Sequence, residues 1–105
     1  MKTNAKISFL PASGALVNGE TVERGQVVWT NDAGDPRSYP AVIVEWSKSG
    51  KTITLHRCTI RETKDGGQKI KLMDPANFSH VIETMRFRNG AFRNGDTKVY
   101  FSDED

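Results

Sequence analysis

One cysteine, Cys58, and two histidines, His56 and His80, are all that 105 residues offer to thiol or imidazole chemistry. A single cysteine excludes an intrachain disulfide framework and fits a reducing compartment, so a cytoplasmic protein is expected. Apolar residues are sparse as well, at 36% of the chain with aromatics at 9%, and no apolar run approaches the length of a membrane span. Residues 7–10 form a short apolar run after Lys2 and Lys6, but Pro11 and Gly14 interrupt it, and no processed signal is expected. Nor does any segment sustain the 3.6-residue spacing of an amphipathic helix. Charge is nearly balanced: 15 basic residues face 13 acidic ones, for a net +2. Binding to a polyanion would therefore have to come from clustering of charge, not from its total.

What the chain does contain is short runs of β-branched and aromatic residues separated by turn residues. Residues 6–10, 27–30, 39–46, 51–60, 68–73, 80–88 and 98–102 read as strands. Residues 39–46 are the most strand-like, because Ala41-Val42-Ile43-Val44 is apolar on both faces. Pro11-Ala12-Ser13-Gly14 reads as a break, residues 31–40 as an exposed loop, and Asp74-Pro75-Ala76-Asn77 as a capped helical turn. The expectation is an all-β fold, a small SH3-like barrel or barrel-like antiparallel sheet of six to eight short strands. It would form one domain over residues 1–105, with an N-terminal arm at 1–20 and an acidic tail at 102–105.

The sharpest local signal is Arg86-Phe87-Arg88-Asn89-Gly90-Ala91-Phe92-Arg93. Asn-Gly between strand formers predicts a two-residue type I′ turn, since both central residues need positive φ. That register sets Arg86 opposite Arg93, Phe87 opposite Phe92 and Arg88 opposite Ala91, with rings on one face and three guanidiniums on the other. A competing turn at Asn94-Gly95 would instead pair Arg93 with Asp96 and dissolve part of the basic face. Neutralisation by Asp96, Glu83 or the acidic tail is the alternative to an anionic ligand.

Other candidate chemistry is thin. Gly50-Lys51-Thr52 lacks the glycine a phosphate-binding loop needs five positions earlier, where Glu45 stands, and it leads into a strand, not a helix. His56, Cys58 and His80 lack paired zinc-ligand spacing, and Cys58 has no evident base to activate it. Asp32, Asp35 and Glu45 surround a loop without a spacing that fixes paired-carboxylate chemistry or a calcium site. No enzyme, metal or cofactor is expected. Among the aromatics, Trp29 is expected to be mostly buried and Tyr39 to be the contact residue.

The run from Ala41 to Leu55 resembles the Ala-x-Val-Ile-x-Val-x-x-Ser-Gly-Lys-x-Ile block of an uncharacterised family of small bacteriophage and prophage β-proteins. Arg88-Asn89-Gly90-Ala91-Phe92 is similar to that family's Arg-Lys-Asn-Gly-Arg-Trp hairpin, and Trp29-Thr30-Asn31-Asp32 sits where it carries Trp-Ser/Thr-Asp. The chain departs in its longer N-terminal arm, in Ala91 for the hairpin's basic residue and in Phe87 where arginine is usual. The resemblance implies a phage-type origin, hence a host-cell cytoplasmic setting, and not a particular reaction. By analogy it points to a counter-defence factor that binds a nucleotide signal, nucleic acid or a host defence protein. The expected ligand-binding set is Arg86, Arg88, Arg93, Lys48, Lys51, Arg57 and Tyr39. The alternative is a small structural or assembly protein that forms homo-oligomers through its strands.

Overall fold

Residues 13–101 are described by the computed structural model, and the expected strand at 6–10 and the acidic tail lie outside them. Among the described residues nine strands follow one another: β1 Ser13–Ala15, β2 Thr21–Glu23, β3 Val27–Asp32, β4 Tyr39–Trp46, β5 Thr52–Glu62, β6 Gln68–Leu72, β7 Ile82–Arg88, β8 Ala91–Asn94 and β9 Thr97–Tyr100. All pairings are antiparallel. The order β4-β3-β9-β8-β7-β5 closes on itself through β4–β5, which makes a six-stranded barrel. β6 extends the far half of β5 as a ribbon outside the barrel, and β1 and β2 form a separate two-stranded sheet.

Alternation decides what fills the barrel. Val28, Ala41, Ile43, Ile53, Leu55, Met85, Phe92 and Val99 point inward and form a continuous buried core. The strict period would send Glu45 inward and Trp46 outward, but a bulge between Ile43 and Glu45 adds one residue to β4. Beyond it Glu45 lies opposite Thr54 and Trp46 opposite Ile53, so the indole enters the core and the carboxylate leaves it. Trp29 does not take the buried place expected of it. Its neighbours Val28 and Thr30 hold the inward positions of β3, which leaves Trp29 half-buried on the outer face.

Part of the expected N-terminal arm is also core. Ser13–Ala15 is a strand, not a break, and Leu16 and Val22 are buried with the barrel residues. Gly14 makes the approach possible, because a Cβ there would stand 2.6 Å from Trp46 Nε1. Gly50 does the same from the other side: its φ is +73°, and a Cβ would meet the Ala15 carbonyl oxygen at 2.9 Å. Gly14→Ala is therefore expected to cost about 1–2 kcal/mol by overpacking, read as a lower urea midpoint with an unchanged slope. An unchanged midpoint would show that β1 does not sit on Trp46.

Two turns set the strand ends near the basic hairpin. Asn89 and Gly90 adopt φ of 50° and 82°, as a type I′ turn requires, and β7–β8 has the register Arg86↔Arg93, Phe87↔Phe92, Arg88↔Ala91. The second turn centres on Gly95-Asp96, with Asn94 opposite Thr97, so Arg93 faces Lys98 and not Asp96. Asp74 caps a turn, accepting from the Ala76 amide at 2.9 Å, but no helix follows. His80, in a left-handed conformation with φ of 59°, delays the start of β7 to Ile82.

Candidate anionic-ligand face

Residues directly opposite in an antiparallel pair share a face. Arg86 opposite Arg93, and Arg93 opposite Lys98, therefore stand in one row on the outside of the barrel. Thr52 on β5 continues the row beyond Arg86, and Asn31 on β3 continues it beyond Lys98. Tyr100, two residues from Lys98, lies opposite Trp29 on that same face, and the Lys98 ammonium sits 5.1 Å from the Tyr100 ring centroid. On the inner side, Phe87 and Phe92 meet edge-on with centroids 5.3 Å apart. The hairpin is anchored by its rings and presents its cations to solvent.

No acid forms an ion pair with the row among the described residues. The ion pairs Arg37–Asp35 and Arg57–Glu83 involve none of Arg86, Arg88, Arg93 and Lys98. Arg93 does have a structural task, since its Nε donates to the Arg88 carbonyl at 3.0 Å and its Nη2 to the Asn89 carbonyl at 3.4 Å. Each like-charged cross-strand pair costs roughly 0.2–1 kcal/mol, against about 0.5–1.5 kcal/mol from the Phe87–Phe92 pair. The rings thus offset the crowding of charge.

Lys48 and Lys51 are exposed at the β4–β5 turn, which lies beside the hairpin because the Phe87 amide donates to the Lys51 carbonyl at 2.8 Å. Five of the seven expected residues accordingly gather at one end of the barrel. Arg57 and Tyr39 do not join them. Arg57 lies five residues along β5 from Thr52, about 17 Å at ~3.4 Å per residue. There its Nη2 and Nε donate to Glu83 Oε1 at 3.0 and 3.3 Å. The Arg57 and Arg37 guanidiniums lie 5.9 and 5.6 Å from the Tyr39 ring centroid, and the Tyr39 hydroxyl donates to Asp35 Oδ2 at 3.2 Å. At this second mouth the charged groups pair with one another, and a groove lined in part by Tyr39, Arg57 and Glu83 opens beside them. The sequence reading missed Lys98, Tyr100 and the outward Trp29. Their alternation with Val99, Val28 and Thr30 marked them as outward, but not as neighbours of Arg93.

The remaining candidates are occupied by structure. Asp32 accepts from the Thr97 hydroxyl at 2.6 Å. Asp35 is held below the usual carboxylate range, chiefly by the hydrogen-bonded Arg37 amide. Gly50-Lys51-Thr52 is a turn that enters β5. His56 Nε2 lies 2.9 Å from the Met73 carbonyl, which can only accept, so that nitrogen carries its hydrogen there and is not a base for Cys58. Burial pushes the Cys58 thiol above its ordinary pKa. Cys58 is thus expected to react with iodoacetamide at neutral pH far more slowly in the native protein than in urea. Equal rates would place the thiol at the surface. Among the described residues no group of three His, Cys, Asp or Glu side chains could hold a metal ion, and no helix is long and apolar enough to cross a membrane.

No family model, curated protein or solved structure matches the chain. A functional reading rests on the geometry of the basic row.

Proposed function

We propose that this chain is a non-enzymatic binding module that takes an anionic ligand on the outer β7–β8–β9–β3 face, with single-stranded nucleic acid as the favoured class. One observation carries the reading: Arg86, Arg93 and Lys98 form a row without acidic partners among the described residues, on the face that also bears Tyr100 and Trp29. Cations spaced across neighbouring strands suit successive phosphates, and half-buried rings beside them suit stacking of bases. An open sheet face favours an extended strand over a small nucleotide, which would be better held in a cleft. Lys48 and Lys51 would continue the track past the hairpin. The resemblance of residues 41–55 to phage proteins supports a counter-defence setting for such binding.

Fluorescence anisotropy with a labelled single-stranded oligonucleotide tests the proposal. Arg86→Ala with Lys98→Ala leaves the Arg93 staple in place. The double variant should weaken binding and flatten the plot of log K against log salt by about 1.4, at ~0.7 per lost phosphate contact in single strands. Tyr100→Leu should cost about 1–3 kcal/mol if one base stacks there. Binding and salt slope unchanged in the double variant would refute the proposed face.

A further inference from the structure

β6 is the outermost strand of its sheet, and among the described residues no strand pairs with its far side. Two bonds of the β5–β6 ribbon show which of its backbone groups are free. Met73 N donates to the Arg57 carbonyl at 3.0 Å, and Thr63 N donates to the Gly67 carbonyl at 2.9 Å. Hydrogen-bonded pairs in an antiparallel ladder recur at every second residue. Lys69 and Lys71 therefore turn their N–H and C=O groups toward β5, and Gln68, Ile70 and Leu72 turn theirs outward.

The side chains divide as cleanly. Ile70 lies opposite Ile60 and Leu72 opposite Cys58 on one face, whereas Lys69 lies opposite Arg61 and Lys71 opposite Thr59 on the other. Ile70 and Leu72 are 43% and 48% exposed, an unusual state for apolar residues on a strand with a free edge. A two-stranded ribbon is marginal in water without further cover, and such an edge is a template for another strand. Charge decides which strand. Two copies of β6 paired antiparallel about Ile70 would set Lys69 against Lys71, an unfavourable like-charge contact at every such position. The same lysines attract carboxylates.

We propose that β6 accepts an extended peptide from a partner protein as the third strand of the ribbon, and that this peptide alternates acidic and apolar residues. Its main chain would bond to Gln68, Ile70 and Leu72, its apolar side chains would lie beside Ile70 and Leu72, and its carboxylates beside Lys69 and Lys71. Main-chain bonding would supply affinity, and alternation would supply specificity. The surface is separate from the basic row of the barrel, so the chain would hold two ligands independently.

The probe is a labelled synthetic peptide alternating Glu with Val and Ile, compared with a peptide of the same composition whose acids form one block. The alternating peptide should bind at least about tenfold more tightly, since two or three cross-strand charge pairs are gained or lost. It should also slow amide exchange at Gln68, Ile70 and Leu72. Ile70→Pro removes an outward N–H without breaking a bond to β5, and should abolish binding while the protein stays folded. Lys69→Glu with Lys71→Glu should reject the acidic peptide and accept one with Lys in place of Glu. The Arg86→Ala, Lys98→Ala variant should bind the peptide normally, which separates this site from the nucleic-acid face. Equal binding of the blocked peptide, or unchanged exchange at the three amides, would overturn the proposal. So would sedimentation showing that a second copy already pairs with β6.

Discussion

Phe92→Ala is expected to lower the unfolding free energy by about 3–5 kcal/mol, the usual cost of truncating a fully buried phenylalanine. β8 is only four residues long, and Phe92 is its one fully buried side chain. The ring meets Phe87 at 5.3 Å and Phe101 at 6.1 Å, both edge-on, so alanine would leave a cavity and end two aromatic contacts. Domains of this size are stable by about 5–15 kcal/mol, so the variant would approach its folding threshold. Urea denaturation followed by tryptophan fluorescence measures the change, and Phe92→Leu should recover a large part of it. A midpoint within error of the parent would mean that β8 is not registered with its ring inward. The functional consequence is direct: this ring anchors the hairpin that carries Arg86 and Arg93, so oligonucleotide binding should fail together with folding.

Arg57→Ala should cost about 2–3 kcal/mol, somewhat below the ~3–5 kcal/mol of a fully buried pair because both partners retain some solvent contact. The Arg57 and Glu83 side chains are 19% and 13% exposed. Truncation would strand the Glu83 carboxylate at the barrel mouth and remove the guanidinium packed on Tyr39. Glu83→Ala alone should destabilise similarly, and the double variant should be less damaged than the two losses combined, with the coupling read from a double-mutant cycle. Additive losses would dissolve the pair as a structural unit. Oligonucleotide binding, corrected for folded fraction, should not respond to Arg57→Ala. A direct loss would bring Arg57 back into the ligand site, as the sequence reading had it.

The contrast between Arg57 and Lys98 shows where sequence legibility ended. Arg57 stands in the expected ligand-binding set with the hairpin arginines, yet its partner is Glu83, 26 residues away. Lys98 lies in a short closing strand beside an acidic tail, outside the expected set, yet the β8–β9 register sets it opposite Arg93. Glu83 was a candidate to neutralise the hairpin. Its position opposite Leu55 turns it toward the mouth of the barrel instead. In each case the residue's type and its outward or inward parity were readable, and its neighbour was not.

By itself the sequence determined what depends on contacts between near neighbours. Asn89-Gly90 can take the two positive φ values of a type I′ turn, and that turn sets the Phe87–Phe92 register and the basic face behind it. Trp29 lay beyond that reach: expected inside, it stands half-buried on the outer face, because only the closed barrel fixes that Val28 and Thr30 face inward. Tertiary structure alone decided which strands became neighbours, where the bulge turned Trp46 inward, and that residues 13–16 packed onto that ring. The physical reason is that turn chemistry acts over two to four residues, whereas closure of a barrel selects distant strands by mutual burial of their inner faces. The row Arg86–Arg93–Lys98 combines the two: a local turn wrote its first half, and the β8–β9 hairpin within the closed barrel completed it.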